Sequence, residues 1–212
     1  VTLLRYIAKG VSEMTLLKTL KYITLISIFT LQISSQSHAT VQGAQNFVKG
    51  ISNNAIELIK NKGIDDKQKE AKLTSMFENA VDIKWVAKFV LGAYWNKATE
   101  EQRKEYIELH HKFLVNSYVP KFKEYTNQEI KIKKFTDDGN KEYTVETEIT
   151  QIDKPSISVD YKVREQNGKY SIYDVIAEGV SLITTQRSDF SAILSREGVD
   201  GLIKKLREKV KA

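Results

Sequence analysis

The chain has 212 residues, with 33 Lys and Arg against 27 Asp and Glu, a formal net charge of +6 and no cysteine. Disulfide staples and an acylated cysteine anchor are therefore excluded, and no run of about five like charges marks a nucleic-acid-binding arm.

Lys18 and Lys21 precede an apolar run over residues 23–33, followed by the small residues Ser37 and Ala39 on either side of His38. This is the pattern of a secretory signal peptide over residues 1–39, with cleavage expected after Ala39. The run is about half of the roughly 20 apolar residues a spanning helix needs. Residues 1–13 precede Met14, the only early methionine, and read as an over-extended start. Residues 1–39 hold four of the basic and one of the acidic residues, so the remaining 173 carry only +3. Bulk nucleic-acid binding is not expected of them, and residues 40–212 fit one domain with a core of its own.

Over 41–59 the apolar positions Val41, Ala44, Phe47, Val48, Ile51, Ala55, Leu58 and Ile59 recur at helical steps, and the helix ends near Gly63. Asp65 and Asp66 lead a second amphipathic helix carrying Leu73, Met76, Phe77 and Ala80. The stretch 83–95, IKWVAKFVLGAYW, is apolar over so much of its circumference that it must be buried or line a cavity. Thr99-Glu100-Glu101-Gln102 matches a capping box, and the helix it opens runs to Pro120, with 121–125 adding a turn. After Asn127 the period becomes two. Four antiparallel strands are predicted, at about 129–136, 141–151, 157–165 and 169–178, with turns at 137–140, 153–155 and 166–168. Two helices follow, near 188–195 and from Asp200 onward. Helices, then strands, then helices predict an α+β domain: helices on one face of a twisted four-stranded antiparallel sheet.

Chemistry-bearing residues are few. His110 and His111 are adjacent on a helix, so their rings diverge by about 100° and cannot easily share a metal. One half-buried and one solvated histidine is the expected arrangement. The segment 179–183 resembles a nucleophile elbow but lacks its second glycine, and no histidine follows Ser181. Gly179 is better placed as a special backbone angle where strand turns into helix, with Ser181 capping that helix. Asp174 and Glu178 lie four apart on a strand, so a carboxylate pair is geometrically possible. The lysine-rich runs around 131–134 and 204–211 read as solvated faces, or as weak docking to anionic head groups or an acidic partner.

Three strings, VDIKWVAKFVLGAYWNKATEEQRKEY (81–106), SVDYKVRE (158–165) and YSIYDVIAEGVSLITTQRSDF (170–190), are similar to one family. They resemble the MlaC, or toluene-tolerance, family of periplasmic phospholipid carriers. The likeness runs in collinear order over nearly all of residues 40–212. It includes Leu91, Gly92, Tyr94 and Trp95, and the DVxxEGVS element from Asp174 to Ser181. Tyr170 stands where the family commonly has tryptophan and Gln186 where it often has tyrosine or lysine, departures of fine packing.

The resemblance implies a soluble, monomeric shuttle that is not an enzyme. It would have no resident cofactor, only a bound phospholipid as cargo with its acyl chains inside. Its partners would be an outer-membrane lipoprotein complex and an inner-membrane ABC transporter that includes an MCE-domain protein, with transient membrane proximity and retrieval of lipid to the inner membrane. A 16-carbon chain left in water costs on the order of 12 kcal/mol, so a carrier must supply a dry pocket. The expected lipid-binding walls are Trp85, Val86 and Phe89 on the broad apolar helix, Tyr118, the strand face Val159, Tyr161 and Val163, then Val175, Val180 and Leu182. By periodicity alone the same residues read as an ordinary packed core. Two other readings stand beside the carrier. One is a small enzyme using Asp174 with His110 or His111, and the other a protein-binding periplasmic adaptor with a filled core.

Overall fold

The structure, a computed structural model, describes residues 35–122, 128–151 and 154–211. The expected signal peptide falls almost wholly outside the described residues, as do 123–125 of the expected added turn and Asp153 of the expected reversal. The chain divides after Ala39, and the second unit, Thr40–Ala212, is the one described below.

Among the described residues five helical segments precede the sheet: α1 (Ser35–Lys60), α2 (Asp66–Ala80), α3 (Ile83–Leu91), the single turn α4 (Tyr94–Lys97) and α5 (Glu100–Phe122). Their starts follow the side chains. Asp65 accepts from the Gln68 N–H at 2.7 Å and Asp82 from the Trp85 N–H at 3.1 Å. Thr99 and Gln102 form the reciprocal capping box: the Gln102 N–H donates to Thr99 Oγ1 at 3.2 Å and the Thr99 N–H to Gln102 Oε1 at 2.9 Å. The broad apolar stretch is not one helix. Gly92 at φ 59°, ψ −132° breaks it, a conformation closed to residues with a Cβ, and the chain re-forms only the turn α4. Pro120 lies inside α5 rather than at its end.

The sheet is an antiparallel meander, β1 (Glu129–Gly139), β2 (Glu142–Gln151), β3 (Lys154–Gln166), β4 (Lys169–Ala177) and β5 (Val180–Ser181), hydrogen-bonded in that order. The Asn167-Gly168 turn has both residues at positive φ, which suits the right-handed strand twist. Four strands are expected from the sequence and a fifth is present. Glu178 (φ 48°) and Gly179 (φ 78°) make a second two-residue turn, so the chain pairs back on β4 through Val180 and Ser181 before turning helical. Helix α6 (Leu182–Lys211) then contains both expected C-terminal helices, joined across a break at Gly198 (φ 68°, ψ −167°). Ser181 is its cap, accepting from the Thr184 N–H at 3.1 Å.

Two apolar clusters result. One face of the sheet, with Tyr143 opposite Val163 and Val163 opposite Ile172, is covered by Ala44 and Val48 of α1 and by Ala80. Gly43 lets α1 come close here, because a Cβ at that position would collide with the Tyr170 hydroxyl. The second cluster is helical: Val86, Ala87, Val90 and Leu91 of α3 pack on Tyr106, Leu109 and Leu114 of α5 and on Phe190, Leu194, Leu202 and Leu206 of α6. β4 is the strand that meets the helices α2, α3 and α6, and Val81 makes a parallel bridge to Ile172 at its outer edge.

Candidate functional site

Two concave surfaces lie on the helical cluster. The first runs between the C-terminal half of α5 and α6, lined by Phe113, Tyr118, Leu182, Gln186, Phe190 and Ile193, with a volume of about 220 Å³. The second, of about 270 Å³, lies where α3 and α4 meet α6 and is lined by Trp85, Lys88, Phe89, Trp95 and Arg187 among others.

The ten expected wall residues are divided among five environments. Tyr118 and Leu182 meet on the first groove, and Trp85 and Phe89 on the second, their rings stacked with centroids 5.2 Å apart. Val86 is buried in the helical cluster. Val163 is fully buried in the sheet cluster, with Tyr161 and Val175 packed half-buried against it, and Val159 is buried on the same strand face. Val180 is 54% exposed, a large apolar side chain left in solvent two residues before Leu182.

The start of α6 is tied to the sheet by Asp174. Its carboxylate accepts from the Ser181 hydroxyl at 2.7 Å and from the Ile183 N–H at 3.3 Å. Glu178 is engaged elsewhere, accepting from the Ser158 N–H at 2.5 Å. Tyr118, on the wall of the first groove, has its hydroxyl pKa raised by burial and by the nearby Asp174 charge.

The histidines do not form the dyad an enzyme would need. His110 is fully buried, not half-buried, and its Nε2 sits 3.0 Å from Gln186 Oε1. Facing a carbonyl oxygen, Nε2 carries the proton; Nδ1 has no partner among the described residues. Burial pulls its pKa down to about 4; the Gln186 bond opposes this and neighbouring His111 adds to it. His111 points the other way, to Glu78 at 2.8 Å. Among the described residues no group of three or more His, Asp or Glu side chains could hold a metal, and no helix is long and apolar enough to cross a membrane.

Arg164 was not singled out by the sequence. Strand alternation puts it on the face opposite Val163, and an arginine there reads as solvated. It is instead 7% exposed, its guanidinium 3.9 Å from the Trp85 ring centroid and 4.4 Å from that of Tyr173, with Glu142 at 3.0 Å. This clamp holds α3 to the reverse of the sheet. Arg164→Met keeps the apolar stem but loses two desolvated cation–π contacts. It is expected to cost about 2 kcal/mol and lower the melting temperature by roughly 4–8 °C, measured by thermal denaturation. A shift within error would show that the clamp contributes nothing to stability.

A family model described as MlaC protein matches residues 49–208. Among curated proteins, the intermembrane phospholipid transport system binding protein MlaC of Haemophilus influenzae is 26% identical over 132 residues, covering 60% of this chain and 62% of that protein. The chain thus spans about three-fifths of the length of that relative. Among solved structures, a phospholipid-binding protein from Ralstonia solanacearum, in complex with a phospholipid, superposes with a TM-score of 0.69 at 23% identity, over 79% of this chain and 97% of that one. The two share a fold.

Proposed function

Because this chain belongs to the MlaC family, we propose that it is a phospholipid-binding shuttle of an ABC-type intermembrane transport system, working in the periplasm to maintain outer-membrane lipid asymmetry. The observation that carries the reading is the match over residues 49–208, which spans all five strands, α2 to α5 and nearly all of α6. The name of the Haemophilus relative and the lipid in the Ralstonia complex support phospholipid as the cargo.

The cargo lies against the first groove, with Tyr118, Leu182 and Phe190 meeting acyl chain and Val180 meeting it at the rim. Each methylene taken from water there contributes about 0.8 kcal/mol. The groove's 220 Å³ is below the roughly 300 Å³ at which ligand pockets begin. Loading therefore parts α5 from α6. The head group stays in water and needs no dedicated anion site. Asp174, His110 and His111, each bonded to a different partner, support a carrier over an enzyme. Residues 1–39 act as the export signal and 40–212 as the single lipid-binding domain. The exchange partners are an outer-membrane lipoprotein complex and an inner-membrane MCE-domain transporter.

The test is solvent extraction of the protein purified from a periplasmic fraction, followed by mass spectrometry. About one phospholipid per monomer is expected. Recovery of none, from protein that remains folded, would overturn the carrier reading.

A further inference from the structure

The second groove has a composition the cargo does not require. Its lining contains two cations, Lys88 and Arg187, and no carboxylate. Arg187 lies over the Phe89 ring at 4.9 Å and Lys88 over the Trp95 ring at 5.9 Å. Arg103 flanks them, 5.4 Å from the same Trp95 ring and donating its Nε–H to the Trp95 carbonyl at 2.8 Å. Among the described residues none of these three cations has a carboxylate partner. Arg187 packs closely on Gly92, which holds its positive φ here; a Cβ on it would stand 3.1 Å from Arg187 Nη2, tighter than an ordinary contact.

We infer that this groove, formed by Trp85, Lys88, Phe89, Trp95 and Arg187, docks the protein on a bilayer by receiving the phosphate of an anionic phospholipid head group. Unpaired cations that stay exposed are complementary to an anion. The aromatic rings decide which kind. Trp85 and Trp95 are the two tryptophans of the whole chain, and indole rings favour the boundary between head groups and hydrocarbon. A space of about 270 Å³ takes one head-group-sized anion, whereas a peptide interface needs several hundred Å² of contact on each partner. Trp85 and Phe89 then meet lipid from outside the protein rather than around the cargo. The inference rests on this groove's own residues and holds or fails whether or not the first groove carries a tail.

Because both tryptophans line the groove, their emission reports its occupancy. The full exported protein is mixed with phosphatidylcholine vesicles with and without phosphatidylglycerol, at low and high salt, and followed by emission and co-sedimentation. Binding with a blue shift is expected only with phosphatidylglycerol, and salt should weaken it. Lys88→Gln alone should reduce partitioning about fivefold, and Lys88→Gln with Arg187→Gln about 25-fold. The pair Lys204→Gln with Lys211→Gln removes the same charge from the far end of α6 and should leave binding unchanged. Equal loss in both double variants, or no binding to phosphatidylglycerol, would overturn the inference. So would a blue shift given by polyglutamate but not by vesicles, which would assign the groove to an acidic protein. Inorganic phosphate at low concentration displacing the vesicles would instead assign it to the free ion and likewise overturn the bilayer docking. Thermal denaturation of the single Lys88→Gln variant, whose side chain is exposed, establishes that lost binding is not lost folding.

Discussion

Replacing Val180 with glutamate is expected to empty the protein of co-purified phospholipid while leaving its melting temperature within about two degrees of the parent. Val180 is 54% exposed, so in the free protein a glutamate there is a surface substitution, worth within about 0.5 kcal/mol of zero. Its backbone is extended strand, and nothing packed is removed. With cargo the balance reverses, because the carboxylate would lie where an acyl chain enters beside Leu182. A carboxylate held against hydrocarbon costs on the order of 3 kcal/mol, which is roughly a hundredfold weaker retention. Native mass spectrometry of the exported variant reads the loading directly, and Val180→Lys should behave alike, which separates desolvation from charge sign. Unchanged loading in both would show that the cargo does not pass this residue.

His110 predicts a second large effect, on stability against pH. In the unfolded chain an imidazole titrates near 6.5, whereas in the folded protein burial holds His110 to about 4. Above pH 6.5 both states are neutral at this residue and it contributes no pH dependence. As the pH falls from 6.5 toward 4, the unfolded chain takes up a proton that the folded protein refuses, so stability declines by up to roughly 1.4 kcal/mol per unit, on the order of 3 kcal/mol in all. Below about 4 the folded His110 is protonated as well and its part of the slope vanishes. Urea unfolding midpoints between pH 4 and 7.5 measure this. His110→Gln, whose amide can still reach Gln186, should flatten the profile across that window even if it lowers stability at pH 7. Parallel profiles for parent and variant would show that another group carries the slope.

Much of the scaffold was legible because it is written in local chemistry. The Thr99/Gln102 box, the Asp65 cap and the Asn167-Gly168 turn are each set within four residues, and alternation correctly put Tyr143, Val145, Val159 and Val163 on one side of the sheet. What the sequence left out depends on distance or on very short elements. Two residues, Val180 and Ser181, are too few to show a period, so the fifth strand was missed. Gly92 inside an apolar run does not by itself declare a break; its ψ of −132° does. Arg164 is hidden because its ring partner Trp85 lies far upstream, and alternation assigns a face without saying what covers it. The candidate site was the least legible part for the same reason. Periodicity and family likeness chose ten apolar residues, but only the packing shows that some line grooves, some fill the core and one stands in solvent.

The double attachment of Asp174 makes the last long strand and the first turn of α6 a single stiff lever. On the carrier reading proposed above, room for a tail is then made on the opposite wall, by α5 swinging away. That helix is weakest at the end where it would have to give, since Pro120 has no N–H to bond back into the preceding turn. A gate of that kind would be one-sided, a fixed jamb at α6 and a leaf hung on α5.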